Sequence, residues 1–135
     1  MVHRIHQELV FETSPARIYG VLTDAAQFSK LSGGAPAEID SRAGGAFSCF
    51  GGMIVGRNVE CAPGELLVQA WRAKPWEPGF YSIARFELRP ENDDKATRVV
   101  LDHYGFPDGQ AEHLDSGWHA NYWEPLRKLL ADTPR

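Results

Sequence analysis

The period of the apolar residues changes once along the chain, and that change limits the fold more than any other feature. Between residues 37 and 106, apolar and polar side chains alternate in short runs broken by glycine and proline. From about residue 111 to 131 the spacing lengthens. Leu114, Trp118, Tyr122, Leu126 and Leu129/Leu130 recur at intervals of three and four, which marks one face of an amphipathic helix of about five to six turns. A sheet must bury its apolar face, and only one long helix is available to cover it. The expected fold is therefore α+β, with a curved antiparallel sheet of about seven strands wrapped around a long C-terminal helix. Pro125 lies inside that helix, lacks the N–H that the Asn121 carbonyl requires, and predicts a kink there.

The strands follow from alternation and turn residues. Residues 3–12 place Ile5, Gln7, Leu9 and Phe11 on one face. Ser14 then reads as an N-cap and Pro15 as a first helical residue. Two short helices follow, the second capped by Asp24 and ended by Gly33-Gly34. Further strands are expected over 37–42, around Phe47 and Cys49, and over 53–62, 66–73, 80–88 and 97–106. Their breaks fall at Gly44-Gly45, Gly51-Gly52, Pro63-Gly64, 74–79 and the polar loop 90–95. No linker or repeat interrupts the 135 residues, which predict one domain over 1–135.

Several functions are disfavoured. A net charge of −4 offers no bulk attraction to nucleic acid or anionic lipid. The first residues lack the apolar segment of a leader, and no apolar run approaches the roughly 18 residues of a membrane span. Cys49 and Cys61 lie too far apart in the expected strand register to meet the roughly 7 Å limit for a disulfide. Two reduced thiols and a cytoplasmic location are expected. No cofactor or metal is expected either. His113 and His119 do not share a helix face, and the pair Asp115 and His119 supplies too few ligands. The glycine pairs form no phosphate loop, and no nucleophile elbow is present.

The candidate site rests on aromatics and one histidine. Trp71, Trp76, Trp118, Trp123, Tyr81, Tyr104 and Tyr122 crowd the second half of the chain. On the last strand Thr97, Val99, Leu101 and His103 share a face, which puts His103 at the inner rim of the sheet, where it can orient a ligand or act as a base. The expected lining of a cavity between sheet and helix is Trp71, Tyr81, His103, Trp118, Tyr122, Phe47, Phe86 and Leu101. No catalytic residue is assigned. Trp76, in its proline-rich turn, is expected to be exposed and available for a dimer contact.

Gly56-Arg57-Asn58-Val59-Glu60, Pro63-Gly64 and Gln69-Ala70-Trp71-Arg72 resemble the central strands of the family homologous to the C-terminal domain of the activator of the heat-shock-protein-90 ATPase. Asp102-His103-Tyr104-Gly105-Phe106-Pro107 is similar to that family's last strand. Gly117-Trp118 and Tyr122-Trp123-Glu124-Pro125-Leu126 are similar to its final helix, and Ser14-Pro15-Ala16-Arg17-Ile18-Tyr19 also fits. The resemblance implies the helix-grip fold of the START-like (SRPBCC) superfamily. It implies three functions: binding of a small hydrophobic or aromatic ligand, lipid-like or polyketide-like; modulation of a chaperone ATPase through protein contact; and acid–base chemistry of the polyketide-cyclase type.

Overall fold

A computed structural model describes residues 4–132; the N-terminal residues 1–3, on which the reading of a missing leader rests, lie outside the described residues. The chain opens with strand β1 (Arg4–Phe11) and helices α1 (Pro15–Thr23) and α2 (Ala25–Leu31). Strands β2 (Glu38–Ile39), β3 (Ala46–Cys49), β4 (Ile54–Ala62), β5 (Leu66–Ala73), β6 (Ser82–Glu91) and β7 (Ala96–Tyr104) follow. The end is helical: α3 (Ala111–Trp118), a π turn (His119–Trp123) and α4 (Glu124–Asp132) run on without a break.

All seven strands form one antiparallel sheet in the order β1-β7-β6-β5-β4-β3-β2. The N-terminal strand therefore pairs with the last one, with Ile5 opposite His103. Helices α1 and α2 carry the chain from one sheet edge to the other, and a meander returns it. Both helices start as their caps predict. The Ser14 Oγ accepts the Arg17 N–H at 3.2 Å, and an Asp24 carboxylate oxygen accepts the Gln27 N–H at 3.0 Å.

Most boundaries shift by a residue or two, the last strand ending at Tyr104 rather than residue 106, and three features differ more from those read in the sequence. The strand expected over 37–42 shortens to Glu38–Ile39. There Asp40 accepts from the Arg42 backbone at 3.2 Å and from its guanidinium at 2.9–3.0 Å, a local pairing that competes with the ladder. Strand β6 begins at Ser82 rather than residue 80 and runs through Pro90 to Glu91, which pairs with Ala96. The loop shrinks to 92–95, where Asn92, Asp93 and Asp94 all adopt positive φ, a conformation that Asn and Asp tolerate better than most residues.

The third difference is the proline. Just before Pro125 the helix widens into a π turn, and the Glu124 N–H reaches back to the His119 carbonyl. The widened turn changes the helical phase. Trp118, Tyr122 and Trp123 are consequently all buried, although a regular helix sets positions 122 and 123 about 100° apart. The Trp123 Nε1–H donates to Gln7 Oε1 at 2.7 Å, and the Gln7 Nε2–H₂ donates to the Asp115 carboxylate at 2.9 Å and its carbonyl at 3.1 Å. This buried amide fastens the helix to the edge strand β1.

Gly56 is required by close approach. A Cβ there would run into the Ala70 carbonyl and lie 2.8 Å from Phe47 Cζ. Gly56→Ala should lower stability by about 2–3 kcal/mol in denaturant titration. Gly117→Ala is the control: its Cβ would meet nothing nearer than Asn121 Nδ2 at 3.6 Å, and in a helix it should leave stability unchanged or raise it by up to about 1 kcal/mol.

Candidate functional site

A buried hydrogen-bond relay stands where sheet meets helix. The Trp118 Nε1–H donates to His103 Nδ1 at 3.0 Å. An indole nitrogen can only donate, so Nδ1 accepts and the proton of the neutral ring sits on Nε2. That Nε2–H then donates to Ser82 Oγ at 2.7 Å, and the Ser82 hydroxyl donates to the Trp71 carbonyl at 2.9 Å. The relay joins α3, β7, β6 and β5. His103 is 0% exposed, and burial holds its pKa down at about 3. Aromatic rings enclose it, with Trp71 at 4.8 Å, Phe106 at 5.2 Å and Trp118 at 5.4 Å between centroids.

The interior beside this relay is filled. Trp118 packs on Tyr122 at 4.3 Å, Trp71 at 5.5 Å and Phe86 at 5.6 Å. Under the helix only about 10 Å³ of free space separates Phe47, Cys49, Gln69, Phe86 and Tyr122. That is room for about one water molecule, not a drug-sized ligand.

Larger spaces open only at the surface, one of about 630 Å³ between the end of α2 and α4 and another at one end of the sheet. A groove of about 660 Å³ runs between α3 and the turns at the sheet's mouth. Phe50, Met53 and Ile54 from the β3–β4 connection form one wall with Ala73, Pro75 and Trp76. Gln110, His113, Leu114, Gly117 and Asn121 form the helical wall, and Trp71, Trp118 and Tyr122 complete the lining. None of these residues is a carboxylate, a lysine or an arginine. The Trp71 Nε1–H is buried and completes no hydrogen bond of ordinary geometry, although it influences the Tyr122 hydroxyl, whose pKa burial pushes well above the usual phenol range.

Of the residues expected to form the site, Trp71, Trp118 and Tyr122 come together in the groove. His103 sits behind them, away from the groove. Phe47, Phe86 and Leu101 are core residues. Tyr81 precedes β6, is 49% exposed and packs under the Arg72 guanidinium, 5.8 Å from its ring centroid. It lines a shallow depression with Phe47 and Gly56, apart from the groove. Trp76, expected to be exposed, is 9% exposed instead. Its carbonyl accepts from Arg72 Nη2 at 2.6 Å and its N–H donates to the Ala73 carbonyl at 3.0 Å, folding the turn back onto Trp71. Phe50, Met53 and Leu114 were not anticipated as lining residues. The first two lie in a glycine turn that alternation cannot orient.

Both cysteines are free thiols, and burial pushes Cys49 up to about 12. Among the described residues, no three His, Cys, Asp or Glu gather as a metal site, and no helix is long and apolar enough to cross a membrane.

A seven-stranded antiparallel sheet gripping one C-terminal helix, with an aromatic groove at its mouth, defines a helix-grip protein. The family described as Activator of Hsp90 ATPase homolog 1-like protein matches residues 12–131, and the chain belongs to that family. Among curated relatives, the mouse activator of 90 kDa heat shock protein ATPase homolog 2 is 26% identical over 126 residues, covering 93% of this chain and 37% of the relative. The human homolog 1 is 26% identical over 120 residues, covering 89% and 35%. The chain thus spans little more than a third of the length of these relatives. Among solved structures, an HSP90 activator from Plasmodium falciparum aligns with a TM-score of 0.90 and 26% identity over 96% of both chains. CalU16 from Micromonospora echinospora shares the fold at TM-score 0.80 and 19% identity, over 96% of this chain and 76% of its own.

The relay predicts a pH dependence. Unfolded His103 takes up a proton near pH 6.5, whereas the folded residue resists protonation until about pH 3. Its contribution to stability is therefore intact above 6.5 and declines as pH falls toward 3, by up to about 1.4 kcal/mol per pH unit. His6 has the opposite sign. Its hydrogen bonds to Asp102 and Glu8 raise its pKa, so its contribution is full below 6.5 and is lost as pH rises through the raised value. In urea titrations between pH 4 and 7, His103→Asn should be less stable at pH 7 and should lose the one-proton acid slope that wild type shows.

Proposed function

We propose that the chain is one cytoplasmic binding domain that takes a small hydrophobic or aromatic molecule into the groove between α3 and the mouth of the sheet. The observation that carries this reading is the groove itself. Its volume of about 660 Å³ falls within the usual range for small-molecule sites, roughly 300–1,000 Å³. Trp71, Trp76, Trp118 and Tyr122 supply apolar area for affinity, and Gln110, His113 and Asn121 supply a few polar groups for orientation. The acid–base reading draws no support from His103, because both ring nitrogens are engaged within the core.

Gly117 offers a direct test. A Cβ there meets nothing nearer than Asn121 Nδ2 at 3.6 Å, so Gly117→Leu should fold with an unchanged or higher melting temperature while narrowing the groove. A neutral fluorescent probe such as N-phenyl-1-naphthylamine, or a panel of apolar compounds read by thermal shift, should bind wild type and lose at least about tenfold in affinity for the variant. Equal binding by both proteins places the ligand elsewhere.

A second reading is modulation of a chaperone ATPase through protein contact. It is favoured by the 26% identity that extends over 96% of the Plasmodium falciparum HSP90 activator. On this reading the purified domain at saturating concentration raises the ATPase rate of an Hsp90-type chaperone. An unchanged rate counts against it.

A further inference from the structure

The outer face of the sheet, turned away from the C-terminal helix, carries charge and apolar area that the fold does not use. The antiparallel register lays Arg4, Tyr104, Ile83, Ala70, Arg57 and Ala46 in one row across that face. Six of the chain's ten arginines stand on it and none of its four lysines does. Arginine is enriched, and lysine depleted, where proteins meet. The acids of β1, β6 and β7 are already paired: Asp102 and Glu8 with His6, Glu91 with Arg98, and Glu87 with Arg89 and Arg85. Among the described residues, Arg4, Arg57 and Arg72 form no ion pair. Arg4 lies over the Tyr104 ring, Arg57 Nη1 donates to the Gly44 carbonyl at 2.7 Å, and Arg72 Nη2 donates to the Trp76 and Glu77 carbonyls.

The second observation is a hollow beside these arginines. The depression that Tyr81 borders has a volume of about 450 Å³, and Ala46, Val55, Gly56, Ala70 and Arg57 line it with no carboxylate among them. Glu38 and Glu60, the acids of β2 and β4, lie outside that lining. Tyr81 and Arg57 are exposed. Arg72 covers the Tyr81 ring from 5.8 Å and is the diagonal neighbour of Arg57, which pairs with Ala70. Two guanidinium groups and a tyrosine thus surround an apolar hollow. That is the composition of a protein-binding hot spot, where an anchor side chain fills a pocket and charged groups pair beside it. A nucleic acid carries far more phosphates than three guanidinium groups can neutralise, and the net charge of −4 repels it; a short acidic segment suits both limits. We propose that this hollow docks a protein segment that seats an apolar side chain between Arg57 and Tyr81 and lays its carboxylates against Arg57 and Arg72. The proposal gives the second reading above a surface, and rests on that reading only for the identity of the partner.

The probe is a blocked peptide of sequence EELEE, titrated at low ionic strength into ¹⁵N-labelled protein with the backbone amides as readout. KKLKK reverses its charge, and EEAEE removes its anchor. The expected result is that EELEE moves amides of β3, β4 and β5 around the hollow and binds at least about fivefold more tightly than either control. Arg57→Ala and Tyr81→Ala, with folds checked by melting temperature, should each weaken EELEE severalfold. Lys128→Ala, on the helix across the sheet, should leave it unchanged. Equal binding of KKLKK overturns the charge requirement, and equal binding of EEAEE overturns the anchor. Shifts that lie elsewhere, or none at all, overturn the site, and a short single-stranded DNA bound as tightly there overturns the choice of a protein segment. The chaperone ATPase assay separates this proposal from the second reading. If wild type and Arg57→Ala raise the rate equally, the hollow is not the contact and the second reading stands. If EELEE binds as expected and the rate does not change, the second reading falls and the hollow stands as the site for a different acidic partner.

Discussion

Trp118 reaches from the C-terminal helix to a histidine that has no contact with water, and the position of every other element near the site follows from that bond. Its N–H satisfies His103 Nδ1, His103 satisfies Ser82, and Ser82 satisfies the Trp71 carbonyl. Removing any member strands a buried polar atom, and such an atom costs more than the net worth of the bond it made. Hydrophobic packing alone would let the helix slide along the sheet at small cost. The relay permits one depth and one rotation, because an indole N–H, an imidazole and a hydroxyl must all be within hydrogen-bond reach together.

That rigidity has a consequence for binding. The same side chains that lock the helix fill the space a helix-grip fold can otherwise leave open. With Trp118 packed on Trp71, Phe86 and Tyr122, the interior keeps about 10 Å³ free. The usable volume moves outward to where α3 leaves the sheet, and Trp71 and Trp118 serve both places. Each ring is held from the core side and is almost wholly buried at the base of the groove. A site built this way is preformed, so a ligand has little ordering cost to overcome.

The architecture was legible because it rests on periods. Alternation marked the strands, Ser14-Pro15 and Asp24 marked the helix starts, and the spacing of Leu114, Trp118, Tyr122 and Leu126 marked the covering face. The site was legible only in part. Trp71, Trp118 and Tyr122 emerged because inward-facing aromatics on a strand and a helix must meet. His103 was placed on the correct face, but no pattern in one strand reveals that Ser82, 21 residues earlier, and Trp118, 15 residues later, occupy its two nitrogens. Trp76 was misread because burial of a turn depends on what the turn folds back upon. There the deciding bond comes from Arg72 to the Trp76 carbonyl. Tyr81 was misplaced because the strand starts at Ser82, two residues later than its apolar neighbours suggest.

Pro125 shows how a local covalent constraint can set a remote surface. A proline in the helix removes one donor, and the helix answers with a π turn over His119–Trp123. The added residue advances the phase so that Tyr122 and Trp123 both face the core, where Trp123 reaches Gln7 on β1. Asn121, just before them, is left at the groove wall with Gly117 one turn earlier. A regular helix through this region would have to give up either the Gln7 contact or the burial of Tyr122. The widened turn keeps both, and it also divides the helix between two tasks: one face bound into the core, the other free to vary without loosening the grip. Side chains on the second face, Gly117 among them, can change what the groove holds while the relay at Trp118 goes on holding the fold.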